Sequence, residues 1–335
     1  MDYNRPRYRP GGSGHVESYF WRANHPTEPK AIWLKATILL PTTGESPVAE
    51  VWCCTFNLDT ERYSGQKTTH ALEDCTFAGT PLRITTTHCN FEFDTQEGAG
   101  TGTITGDDGP VSWALRWRAV DGPLGAPLSI FPFDWMVNGK LPKNKTVTPS
   151  PTLVFDGTVT LDGTTHSIDG WWGMQGHNWG RFHAPEYAWG QCIFPGADQQ
   201  PECMVEGFTA RTRIGGWLTP RLTAVWVRRG ADTYRFNRIR DLWKHEVVLD
   251  YPRWRVDAKG PAGELELEMM AKPEEVVCLG YYNPDGALSY CLNSKLAHAR
   301  LVVRPAQGDP FEYTSSHGAA LEFLSPILPD GLEVV

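Results

Sequence analysis

The stretch Gly173-Met174-Gln175-Gly176-His177-Asn178-Trp179-Gly180-Arg181-Phe182-His183, with Tyr187-Ala188-Trp189-Gly190 close behind it, decides how the chain is read. It crowds glycines, aromatics, two histidines, an amide and an arginine into one run. Glycine allows tight turns and close approach of neighbouring elements, whereas a plain core strand prefers Val, Ile and Thr. The run therefore reads as a site candidate on a β scaffold, where the wall of a second unit begins.

Outward from it, short strand patterns alternate with Gly, Pro and Asp turns. Upstream they cover 15–22, 31–40, 48–58, 82–87, 90–94 and 111–119; downstream 152–161, 165–172, 187–194, 203–213, 222–229 and further short runs to 304. Gly98-Ala99-Gly100-Thr101-Gly102 and Gly106-Asp107-Asp108-Gly109 read as turns. Residues 129–150, with Pro132, Pro142, Pro149 and the basic run Lys140 to Lys145, read as a boundary with a short helix. The expectation is an all-β chain of two antiparallel barrels or half-barrels in tandem with few short helices. A flexible N-terminus would cover 1–14, a first unit 15–150 and a second 151–335. A faint internal likeness pairs 31–37 and 49–56 with 187–193 and 204–208.

Composition narrows the function. The 335 residues carry 31 Lys or Arg against 39 Asp or Glu, a net charge of −8. Such a chain is a poor electrostatic partner for nucleic acid or an anionic membrane. Its 14 Trp suggest an aromatic-lined cavity. Eight cysteines without a C-x-x-C pair, and no apolar signal-peptide core, lead us to expect reduced thiols and a cytoplasmic location. No G-x-S-x-G elbow or G-x-G-x-x-G fingerprint is present, so a serine nucleophile and a nucleotide cofactor are not indicated. His177 and His183, even with His166 or Asp169, match no zinc spacing, so no metal is expected.

In order along the chain come His15-x-Glu17-Ser18-Tyr19-Phe20, Ala31-x-Trp33-x-Lys35-Ala36, Ala49-x-x-Trp52-x-x-x-Phe56, Gly176-His177-Asn178-Trp179-Gly180-Arg181 and Tyr187-Ala188-Trp189-Gly190. This order resembles the lipocalin-like carotenoid 1,2-hydratase (hydroxyneurosporene synthase) and AttH-type superfamily over residues 15–305. The resemblance implies two calycin-like barrels, a hydrophobic isoprenoid or polyene substrate, hydration or cyclisation chemistry, and no redox cofactor.

Protonating an alkene requires an acid kept neutral by burial and aromatic faces for the developing cation. Glu17, Glu50, Asp169 and Glu206 are the candidate acids on strands. Trp21, Trp33, Trp52, Trp171, Trp172, Trp179 and Trp189 are the candidate walls, with Tyr187 and Arg181 as substrate contacts. Residues two apart share a strand face, which puts Glu17 with Tyr19 and Trp21, and Glu206 with Met204 and Phe208. His177 is the proton-transfer candidate, and Asn178 would orient a carbonyl or water. Both reach one lumen only if the glycines create a bulge; the competing reading makes His177 and Trp179 a buried structural corner. A lipocalin-type carrier would keep the cavity and lack a cavity-facing acid, while a sugar-binding protein would expose its tryptophans in a shallow groove. Peripheral membrane contact remains an access route for an apolar substrate.

Overall fold

The computed structural model describes residues 2–59, 62–94, 96–106, 109–139, 141–214 and 216–335, without the side chain at 214. Asp107, Asp108 and Lys140, which fall in the expected turn and basic run, lie outside the described residues.

Eleven strands form one antiparallel sheet: β1 His15–Asn24, β2 Ala31–Leu40, β3 Val48–Phe56, β4 Tyr63–Ala71, β5 Thr76–Ala78, β6 Leu82–Thr85, β7 Cys89–Phe93, β8 Glu97–Gly106, β9 Gly109–Ala119, β10 Lys145–Leu161 and β11 Thr164–Gly180. A four-residue helix, α1 (Trp135–Asn138), precedes β10. The second sheet is built from β12 Glu186–Pro195, β13 Pro201–Arg211, β16 Leu222–Arg229, β17 Asp232–Phe236, β18 Glu246–Asp250, β19 Arg253–Gly260, β20 Gly263–Met270, β21 Val277–Tyr282, β22 Leu288–Pro305 and β23 Phe311–Ser325. A small hairpin, β14 Arg213–Ile214 and β15 Trp217–Leu218, stands apart.

In the first sheet β1 lies between β2 and β11; in the second, β12 lies between β13 and β23. The opening strand of each sheet thus pairs with its successor and with the closing strand. By this topology β12 corresponds to β1, not to β2 as the internal likeness suggested; one-strand slippage is easy where every candidate is aromatic-centred and buried. The strands change sheet between Gly180 and Glu186, so β10 and β11 belong to the first sheet although 151–180 was read into the second unit.

The first sheet curls until Gln66 Nε2 on β4 donates to Gly109 O at the head of β9, 2.9 Å away. Its concave side is filled, not hollow. Trp21 stacks on Phe91 at 4.6 Å, Phe91 lies 6.1 Å from Trp113, and Trp117 lies 5.5 Å from Phe155. Gly98 and Gly102, expected in a turn, lie within β8. A methyl at either position would drive into the indole of Trp117 or Trp113, so these glycines make room for large rings. Turn-rich sequence and ring-accommodating strand look alike because both need glycine.

β1 is buried on both faces, since Tyr19 and Trp21 fill the first core while Phe20 packs against Trp189 of the second sheet. Asn24 Nδ2 donates to Lys295 O at 2.5 Å and Arg22 to Gln191 O at 3.3 Å, tying the sheets face to face. Residues 2–9, expected to be flexible, lie across one mouth of the first sheet. Their anchor points are Arg7 N and Tyr8 N, each 2.8 Å from the Glu17 carboxylate.

Candidate active site

Where the sheets face each other they leave a cavity of about 260 Å³. Phe20 and Trp33 line it from the first sheet, Tyr187, Trp189 and Phe208 from the second. The connection running into β10 closes one side with Phe131 and Met136. That connection is held to the second sheet by Asn237 Nδ2 donating to Ile130 O at 3.1 Å and by Arg228 donating to Pro123 O at 2.7 Å.

Among these apolar walls stand four polar groups that matter. Lys35 shares the Trp33 face of β2, and its Nζ lies 3.5 Å from the Tyr281 ring centroid. It has no ion pair or hydrogen bond among the described residues. Burial lowers its ammonium to about 8, against the opposing pull of Cys291 and Glu322. Glu322 on β23 also lines the cavity, but its charge is matched by Lys295 Nζ at 2.7 Å. Tyr187 reaches Cys291 Sγ with its hydroxyl at 3.8 Å; burial holds the phenol well above its usual value and the Cys291 thiol up at about 12, so both keep their protons.

His183 is the fourth. Its ring stacks on Tyr281 at 5.3 Å, and Asn283 Oδ1 lies 3.2 Å from its Nδ1. That oxygen accepts from His183 N at 2.8 Å, which fixes it as an acceptor and puts the ring proton on Nδ1. Burial, and then the charge of Lys35, lowers the imidazole to about 4. At neutral pH Nε2 therefore carries a lone pair.

The residues read from the sequence divide cleanly. Trp33, Asn178, Trp179, Tyr187 and Trp189 line the cavity. His177 does not. β11 pairs with β1 in unbroken register from Gly180 to Trp172, so no bulge turns His177 and Asn178 to one side. Gly176 instead makes room for the Phe20 ring. His177 is fully buried, its Nε2 2.9 Å from Glu17 Oε1 and its Nδ1 2.6 Å from Tyr3 O, with Tyr19 stacked on it at 4.1 Å.

None of the four candidate carboxylates lines the cavity. Glu17 accepts from His177, His15, Tyr19 Oη and two backbone amides. Burial raises its pKa, but the hydrogen bonds and charges of His15 and His177 prevail and hold it at about 2; it is an ionised structural acceptor. Glu50 is half-exposed on β3, 3.5 Å from Lys67. Asp169 bonds Ser167 in a separate surface cleft that also holds Trp171. Glu206, raised by burial, sits behind the cavity wall and accepts from Thr148 Oγ1 at 2.7 Å and Trp189 Nε1 at 3.2 Å. Trp21 is core, Trp52 packs edge-on to Tyr281 behind the wall, Trp172 joins the inter-sheet core, and Arg181 is exposed. The groups that sequence reasoning missed are Lys35, Lys295, Tyr281 and Glu322. For Lys35 the signal is a single charge inside an otherwise apolar strand, Ala31-Ile32-Trp33-Leu34-Lys35-Ala36.

Among solved structures, an AttH-type protein of Nitrosomonas europaea superposes with a TM-score of 0.56 at 10% identity, covering 94% of this chain and 93% of its own. Kievitone hydratase of Nectria haematococca gives 0.54 at 12% identity over 93% and 89%. The fold is that of the AttH-type, lipocalin-like proteins. CghA gives 0.50 at 10% identity over 95% and 90%. No family model matches the chain. An uncharacterised protein of Mycobacterium tuberculosis strains CDC 1551 and H37Rv is 26% identical over 304 residues, 89% of this chain and 84% of its own. No helix among the described residues is long and apolar enough to cross a membrane.

Proposed function

We propose that the chain is a cofactor-independent hydratase or cyclase acting on a hydrophobic isoprenoid or polyene that carries a conjugated carbonyl. The observation that carries this is the Lys35 ammonium, buried and without an ion pair among the described residues, at the wall of an aromatic cavity. A charge so placed stabilises negative charge developing on a bound oxygen, because the site is already desolvated and organised. The carbonyl oxygen would accept from Lys35 and from the Tyr187 hydroxyl, drawing electrons from the adjacent C=C bond.

For hydration, His183 Nε2 takes a proton from water as its oxygen bonds to the β-carbon. Lys35 neutralises the enolate oxygen, and the proton returns to the α-carbon, so one water is added overall. Near neutral pH His183 is unprotonated and Lys35 is still charged, which are the states these steps require. For cyclisation the same polarisation acts while the Trp33 and Trp189 walls hold the chain folded. An ammonium near 8 is too weak to protonate an isolated alkene, and Glu322 is committed to Lys295. Among the described residues, acid-initiated chemistry of that kind therefore has no neutral cavity-facing carboxylic acid to start it. The fold of kievitone hydratase supports a hydratase reading, and the eight free thiols suit a cytoplasmic setting.

A carrier is the second reading, favoured by the absence of all four candidate carboxylates from the cavity wall. Exposed tryptophan platforms for sugar are not what the cavity offers, since Trp33 and Trp189 are buried. Native mass spectrometry after incubation with a mixture of polyenes and polyene carbonyl compounds separates the readings. Recovery of bound material heavier by one water supports the hydratase. Recovery at the same mass with a new retention time supports the cyclase. Material returned unchanged establishes the carrier.

A further inference from the structure

Large apolar side chains left in water concentrate at the cavity mouth. Phe133, Trp135 and Leu141 stand on the connection before β10, Phe182 on the link between the sheets, Trp217 on β15 and Trp243 on the loop after β17. Trp217 is 83% exposed. Each of these segments also borders the cavity, through Met136, His183, Thr212 and Leu242 respectively. Exposed clusters of this kind mark interaction surfaces on soluble proteins.

The charge of the same segments is opposite to that of the chain. Residues 131–145, 181–184, 211–222 and 238–244 carry ten Lys or Arg against two Asp, within a sequence of 31 against 39. Lys143, Arg181, Arg213 and Arg238 are exposed and form no ion pair among the described residues. The net charge of −8 thus conceals a basic rim. Tryptophan interleaved with Lys and Arg is the pattern that suits the boundary of a bilayer, with indoles at headgroup depth and cations on anionic lipid.

We infer that this rim docks on an anionic membrane surface, so that an apolar ligand passes from the lipid into the cavity without crossing water. The rim, not the cavity chemistry, carries the inference, and it stands whether the cavity catalyses or carries.

Co-sedimentation of the full chain with phosphatidylcholine vesicles, with and without phosphatidylglycerol, tests it. Binding is expected to the anionic vesicles only and to vanish at high salt. Trp217→Ser with Trp243→Ser, and separately Arg213→Glu with Arg238→Glu, should each weaken it roughly tenfold or more. None of these residues touches the polar groups of the cavity, so turnover or binding of detergent-dispersed ligand should stay unchanged. No binding to anionic vesicles, binding indifferent to the tryptophan pair, or self-association through the rim in sedimentation velocity without vesicle binding would each overturn the inference.

Discussion

Lys35 Nζ lies 3.5 Å from the centroid of the Tyr281 ring and makes no ion pair among the described residues, while Lys295, which lies near the same Trp33 ring, is neutralised by Glu322. Two lysines enter one buried interface, and among the described residues one carboxylate pairs with them. The surplus cation is the property that makes the cavity more than a greasy slot.

Replacing Lys35 by Met should therefore separate stability from function. The buried charge costs the fold free energy, because its pKa falls from 10.5 to about 8. Lys35→Met should raise stability by about 1–3 kcal/mol in urea titrations near pH 7 and cut turnover at least tenfold. A variant that is both more stable and fully active would remove Lys35 from the chemistry.

The pH profile follows from the two cavity groups. His183 must be neutral to accept a proton and Lys35 must be charged to hold an oxyanion. kcat/KM should rise as pH passes about 4 and fall as pH passes about 8. His183→Gln should lower the plateau and remove the acid limb, leaving the alkaline limb in place.

Glu17 and His177 should behave as structure. Glu17 has a folded pKa of about 2 against a usual 4.5. A carboxylate depressed on folding contributes stability that is whole above 4.5 and is lost as pH falls toward about 2. Glu17→Gln should cost about 3 kcal/mol at neutral pH and flatten this acid dependence. His177→Ala should likewise lower the unfolding midpoint while the folded fraction keeps its turnover. Loss of turnover at unchanged stability would return His177 to the site.

Gly102→Ala tests the filled core. Its methyl meets the Trp113 ring, and overpacking of this kind costs about 1–3 kcal/mol. Gly163→Ala is the control, with nothing near its Cβ but a φ of +81°. It should lose stability through backbone strain alone and leave the near-ultraviolet signal of the tryptophans as it is.

The strand pattern of this chain was legible because alternation and turn residues are local. So were Trp33, Asn178, Trp179, Tyr187 and Trp189, which sit on strands that carry aromatics toward the partner sheet. The filled lumen of the first sheet was not legible: fourteen tryptophans suit a lined cavity and a packed lumen equally, and only Trp21, Trp113 and Trp117 meeting Phe91 and Phe155 decide it. Nor was the polar cluster, because residues 281, 295 and 322 come together through pairing within the second sheet, and Lys35 reaches them from β2 across the packed sheets. His177 drew attention through its neighbours' composition, yet the side chain that completes its surroundings, Glu17, comes from β1 160 residues earlier, on the opposite face from the cavity.

The most direct measurement is the absorption spectrum of a polyene aldehyde or ketone bound to the protein. A carbonyl oxygen held by the Lys35 ammonium shifts its band to longer wavelength. The wild-type protein should show a red shift that reverses with a midpoint near the Lys35 value of about 8 and is missing in Lys35→Met. An unshifted spectrum of bound ligand, or the same shift in Lys35→Met, would contradict it.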